Sequence, residues 1–175
     1  MTKLTLNTGI EHPELISQKT KGVLTKATDA SKNPVITITS GIRSPQRQAT
    51  AMYDNLERGV RIKYAEPGRR VTELYDRLKS QKLPKEFIIA DMEALIIVLS
   101  KKGQRVSLHC VSEADYKKLN IVDVSKNIPN PRDFVKALIM DDAVTRVITP
   151  FISDYNSPKV SADSNEQSIH VEIKQ

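Results

Sequence analysis

The chain has 175 residues, a length that fits one domain and allows a properly buried core. Hydrophobic residues make up 39% of it, but no apolar run approaches the ~18 to 20 residues of a membrane span, so no transmembrane segment is expected. The net charge of +6 invites an anionic partner, yet aromatics are only 5% and Trp is absent, which removes the stacking platform expected of a nucleic-acid binder.

The first seven residues lack the ~7 to 15-residue apolar core of a secretory signal, so synthesis in the cytoplasm without a signal peptide is expected. From Pro13 to about Ala30, Leu15, Ile16, Val23, Leu24 and Ala27 recur at helical spacing. Asn33-Pro34 breaks that pattern before Val35–Thr39, a β-branched run that reads as a buried strand closed by Ser40-Gly41. A second helix is expected from Pro45 to Leu56, and two more between about residues 60 and 103. The first of these carries Val71, Leu74, Tyr75 and Leu78. The next runs from Pro84 to a basic last turn at Lys101-Lys102 and a capping Gly103.

Arg105–Cys110 is a short strand candidate, Glu113–Leu119 a helical turn and Ile121–Val124 a further strand. Pro131–Met140 reads as a helix, Ala143–Ile148 as a strand, and the polar stretch 155–167 as a loop. The chain ends on Ile169–Ile173, an alternating strand. The expected fold is α+β, with a small antiparallel sheet packed against several helices. It forms a single domain, 1–175, interrupted by a helical insertion at about 60–103.

Three segments set polar residues inside apolar runs: Ser107-Leu108-His109, Ile121-Val122-Asp123-Val124-Ser125 and Ser168-Ile169-His170-Val171-Glu172. A buried carboxylate must be paired or ligated, because burying it bare is very costly. The lone Cys110 rules out an internal disulfide and zinc designs built on several thiolates, so a metal would have to be held by His and carboxylates. Two imidazoles and one carboxylate leave the fourth position of a tetrahedral zinc open for water, as in hydrolytic zinc sites. Each segment alone also fits a packed histidine or a capping Asp; the reading rests on the combination and on a fourth segment. His109, Asp123 and His170 are therefore the candidate ligands of a Zn2+ ion.

A fourth segment, Ser40-Gly41-Ile42-Arg43-Ser44 followed by Gln48, comes directly after the buried strand. It resembles the SGYRSxxxQ segment of the VanY-like D-Ala-D-Ala carboxypeptidases, in the Hedgehog/DD-peptidase superfamily. That family continues with an SxH segment, an Asp between apolar residues and a final ExxH strand. Ser107–His109, Ile121–Val124 and Glu166–His170 stand in the same order here. The resemblance implies that His109, Asp123 and His170 are zinc ligands and that the sheet carries the zinc site. It also implies that Arg43 acts at the reacting carbonyl and on substrate, with Ser107 and Gln48 as substrate contacts.

The chain departs from that pattern in places. The stretch from His109 to Asp123 is longer than in the family and lacks its Gly, and Asp115 sits nearer the family spacing as a rival ligand. Asp123 is preferred because its apolar flanks match the ligand strand. The family's general base falls on Gln167, so Glu166, one residue earlier, takes that role in this reading, with Glu172 a weaker candidate.

The implied function is zinc-dependent hydrolysis of amide bonds in bacterial peptidoglycan stem peptides or cross-links. Without a signal peptide, the expected setting is a phage lysis enzyme or an injected antibacterial effector acting at the cell wall or periplasm, with a delivery or inhibitor protein as a possible partner. The alternative is an inactive peptidase-fold binding or structural module, for which Gln167 is the evidence.

Overall fold

The computed structural model describes residues 3–152 and 155–175. The chain divides into two compact units, one formed by Met1–Ile42 with Ser112–Gln175 and the other by Arg43–Val111.

The first unit is built on a six-stranded sheet of order β1-β2-β3-β6-β4-β5. Its strands are β1 (Lys3–Leu6), β2 (Val35–Ser40), β3 (Leu119–Ser125), β4 (Val144–Thr149), β5 (Val160–Ala162) and β6 (Ser168–Lys174). The four central strands pair antiparallel, but β1 pairs with β2 and β4 with β5 in parallel. The expected purely antiparallel sheet is thus corrected to a mixed one. The reason lies in the connections: α1 (Gln18–Ala30) occupies the link from β1 to β2 and returns the chain to the end from which it started. Both parallel pairs involve strands that the sequence reading left out. Lys3–Leu6 is short and poor in β-branched residues, and Val160–Ala162 sits inside a polar stretch.

Period-two alternation gives the sheet two unlike faces. Ile36 and Ile38 of β2, Val122 and Val124 of β3, Val144 and Val147 of β4, and Ile169, Val171 and Ile173 of β6 share one core. Two helices join that core: α1 through Val23, Leu24 and Ala27, and α6 (Pro131–Ile139) through Phe134, Val135 and Leu138. Burying each Val, Leu, Ile or Phe side chain among these contributes roughly 1.5–3 kcal/mol.

The first helix begins later than its apolar spacing suggests. Pro13–Leu15 forms a separate 3-10 turn, and Ser17 caps α1 by accepting the Thr20 N–H at 3.0 Å. Asn120 of β3 fixes this end of the helix: its Oδ1 accepts from Ser17 N and Thr20 Oγ1, at 2.8 and 2.9 Å. A short helix, α5 (Glu113–Tyr116), leads into β3, as expected for that turn.

The second unit holds α2 (Pro45–Glu57), α3 (Glu66–Ser80) and α4 (Lys85–Lys101), and these match the expected helices closely. Their core comprises Ala49 and Met52 of α2, Val71 and Leu78 of α3, and Ile88, Met92, Ile96 and Leu99 of α4. Val106 closes it from the segment that follows α4. Gly68 permits this: a Cβ there would lie 2.8 Å from the Val106 carbonyl oxygen and 2.6 Å from Tyr64 Cβ. No helix among the described residues is long and apolar enough to cross a membrane.

Candidate metal centre

On the sheet face opposite the shared core, β3 and β6 run antiparallel with Asp123 directly opposite His170. Directly opposed Cβ atoms in such a pair lie about 4.5–5.5 Å apart, so the two side chains meet by register alone. His170 Nδ1 lies 3.1 Å from Asp123 Oδ1. On the other side of the ring, His170 Nε2 lies 3.4 Å from Glu172 Oε1. All three side chains are buried, at 5% exposure for His170 and 9% for each acid.

His109 does not sit in a strand, contrary to the expectation for Arg105–Cys110. It lies in a turn. Ser107 makes that turn: its Oγ accepts the His109 N–H at 3.3 Å, and its carbonyl accepts the Cys110 N–H at 3.2 Å. Hydroxyl-to-backbone bonding of this kind competes with strand pairing, and over so short a run it prevails. The His109 carbonyl accepts the Arg43 N–H at 2.9 Å, which ties the turn to the segment entering α2.

His109, Asp123 and His170 each offer a ligand atom, and these atoms all lie within 4.8 Å of one another. Zinc bonds of ~2.0–2.1 Å set the edges of a tetrahedron at about 3.4 Å, a spacing that falls within the 4.8 Å bounding these three atoms. The donor set of two imidazoles and a carboxylate suits a divalent transition metal. Buried, oxygen- and nitrogen-bearing and converging, the group can hold a metal ion.

The electrostatics of the pair on the sheet are unusual. Burial acts to lower the His170 pKa, but hydrogen bonding and charge from Asp123 and Glu172 outweigh it, and the imidazole is pushed up to about 9. Without a metal, a protonated His170 therefore sits between the two carboxylates and offsets one of their two negative charges. Glu172 is further compensated by Arg146 of β4, whose guanidinium lies 3.6 Å from Glu172 Oε1. Arg146 drew no attention in the sequence. Its sole signal was a cation inside the Val144–Thr149 strand, and its partner becomes visible only through the β4–β6 register, in which Arg146 faces Glu172.

Glu166 precedes β6, half-buried, with its carbonyl accepting from Lys126 Nζ at 3.2 Å. Burial first, then the charge of Asp123, raises its pKa above the ordinary carboxyl value. Gln167 is exposed and donates to the Asn165 carbonyl at 2.9 Å. Asp115 is also exposed, and its Oδ2 accepts from Ser112 Oγ at 2.9 Å at the start of α5. It is not a member of the converging group.

Arg43 is half-buried and donates to Gln48 Oε1 at 3.3 Å. Gln48 is fully buried, and its Nε2 finds no hydrogen-bond partner among the described residues. His12 is exposed and pairs with Glu14.

Comparison of the chain with family models, with curated proteins and with solved structures found no match. The candidate metal site therefore stands on its own geometry, and the likeness to D-Ala-D-Ala peptidases rests on the four short segments.

Proposed function

We propose that the chain is a zinc-dependent peptidase that hydrolyses amide bonds in bacterial peptidoglycan stem peptides or cross-links. The observation that carries this reading is the buried convergence of His109, Asp123 and His170. These residues would hold the ion, and the chemistry it supplies is Lewis-acid activation of water near neutral pH. Zinc is the metal that the likeness to D-Ala-D-Ala peptidases implies, and the mixed imidazole and carboxylate set suits it.

Glu166 is assigned as general base. Its raised pKa brings it nearer to neutrality, where a carboxylate takes a proton from attacking water and returns it to a leaving amine most effectively. Arg43 is assigned to the carbonyl oxygen or the terminal carboxylate of the substrate, roles that suit a planar, permanently charged guanidinium. Ser107 is assigned as a substrate contact and also shapes the His109 turn, while Gln48, fully buried, is assigned to act on substrate through the Arg43 side chain that donates to it. The overall positive charge favours an anionic wall polymer. Delivery by phage lysis or by injection from a competing cell completes the proposal, with a cognate inhibitor as a further partner.

A second reading, a metal-binding module without catalysis, is favoured by Gln167 standing where the family carries its base. Metal analysis of the purified chain, followed by mass spectrometry of defined muropeptides incubated with it, separates the two. The peptidase reading expects about one zinc per chain, lost in His109→Ala, and a new peptide product. Zinc without any product would support the module. Absence of zinc, with His109→Ala indistinguishable from the parent, would overturn both.

A further inference from the structure

Resting on the metal reading of the site, we infer that Glu172 and Arg146 are positioning residues that fix which nitrogen of His170 binds the metal. Asp123 faces His170 across β3 and β6, while Arg146 faces Glu172 across β4 and β6. Because His170 and Glu172 are two apart on one strand, they share a face. Three strands thus present Asp123, His170, Glu172 and Arg146 as one polar row.

Distances order the row. Asp123 Oδ1 lies 3.1 Å from Nδ1 of the ring, Glu172 Oε1 lies 3.4 Å from Nε2, and Arg146 Nη1 lies 3.6 Å from the same Glu172 oxygen. A neutral imidazole has one nitrogen that carries hydrogen and one that can ligate a metal. Asp123 belongs to the converging ligand group and Glu172 does not. The nitrogen beside Asp123 is therefore the one that shares an ion with it, and Nε2–H is left to donate to Glu172. This gives the ring a fixed tautomer and a fixed plane, the arrangement by which carboxylates behind a histidine strengthen metal binding.

Glu172 could not play this part alone. At 9% exposure it is a nearly buried carboxylate that needs a counter-charge. When a metal takes the proton's place on His170, the ring no longer supplies that charge. Arg146 continues to supply it, from a side chain about half exposed to solvent.

The test uses the full chain, Zn2+ alone as the probe, and two readouts that need no substrate. Affinity is measured by competition with a chromophoric chelator, and the His170 tautomer is read from nitrogen-15 NMR of the imidazole. The zinc-loaded parent is expected to show a metal-shifted Nδ1 and a protonated Nε2. Glu172→Ala should weaken zinc binding by about 10–100-fold. Glu172→Gln, which keeps an oxygen able to accept from Nε2–H, should recover most of that loss and retain the tautomer. Arg146→Ala should weaken binding less than Glu172→Ala does.

A zinc-loaded parent with Nε2 on the metal overturns the inference, and so does a folded Glu172→Ala chain that binds zinc as the parent does. If Glu172→Ala does not fold, the parent's tautomer decides the matter. A parent that binds no zinc defeats the metal reading itself, a result distinct from unaffected variants of a chain that does bind.

Discussion

On β6, Ile169, Val171 and Ile173 join the core shared with α1 and α6, whereas His170 and Glu172, alternating with them, form part of the polar row on the opposite face. The same seven residues therefore serve two different purposes. One face lowers the free energy of the fold by removing apolar surface from water. The other face gathers two carboxylates and an imidazole where solvation is poor, an arrangement that needs compensation to persist. Burial alone does not distinguish the faces; what is buried does. A sheet built solely for stability would carry apolar residues at Asp123, His170 and Glu172, and the contrast marks that face as the one where a metal ion could be held.

Breaking the apolar face should have the largest effect. Phe134 is fully buried between α6 and the sheet core. Phe134→Ala should cost about 3–5 kcal/mol of stability, read from urea denaturation. The chain that remains folded should still bind zinc in the parent's proportion, because no ligand lies in that core. Loss of zinc at full folding would mean that the two faces are not separable.

Breaking the chemistry without the fold calls for Glu166→Gln. Replacing the assigned base should lower peptide cleavage by about 10²–10⁴-fold, the usual worth of positioned acid–base catalysis. Zinc content should not change, since Glu166 is outside the ligand group. Gln167→Ala, at an exposed residue bonded to its own loop, should leave the rate as it was. If Gln167→Ala is the damaging change instead, the base has been assigned one residue too early.

The contrast between the faces also explains how much could be read from the sequence. Asp123 and His170 were legible because each interrupts a β-branched run, and their strands fall where those runs predict them. The helices of the second unit were legible because their apolar spacing is unbroken and their ends carry proline, basic and glycine signals. The His109 turn was not legible, since Arg105–Cys110 has the composition of a strand and a single serine hydroxyl redirects it. Nor was the parallel pairing of the outer strands, because alternation along one strand says nothing of its neighbour's direction. Arg146 was hidden for the same reason: its meaning lies in the residue opposite, and register is a property of two strands.

The polar face makes a pH prediction with a definite sign. His170 is held protonated to about 9 by its two carboxylates, against 6.5 as its ordinary value. A folded pKa above the unfolded one contributes stability that is fully present below about 6.5 and is lost as pH rises through about 9. The amount is on the order of 3 kcal/mol for the metal-free chain. Urea denaturation between pH 6 and 10 should show this decline, and His170→Gln should flatten it. With zinc present the trend should oppose this, because the ion needs a neutral imidazole and gains as the proton is lost. A metal-free chain whose stability is level over that range would show that the carboxylates do not hold the proton.

The smallest expected effect is the one that discriminates most sharply between ligands. Asp115 and Asp123 are both carboxylates downstream of His109, and spacing alone favours the first. Asp115, however, sits at the start of α5, where its backbone N–H donates to Ser112 Oγ at 3.1 Å and its Oδ1 lies 3.8 Å from Lys118 Nζ. Asp115→Ala keeps the N–H bond to the cap but removes an exposed ion pair and the bond that Oδ2 accepts from Ser112 Oγ, so it should cost about 1 kcal/mol or less. Its zinc affinity should match the parent's. Asp123→Ala removes the acid opposite His170 and should abolish stoichiometric zinc binding, measured by the same chelator competition. Should the two variants exchange these outcomes, the ligand set would have to be rebuilt around α5, and the strand-borne pair would lose its claim to the metal.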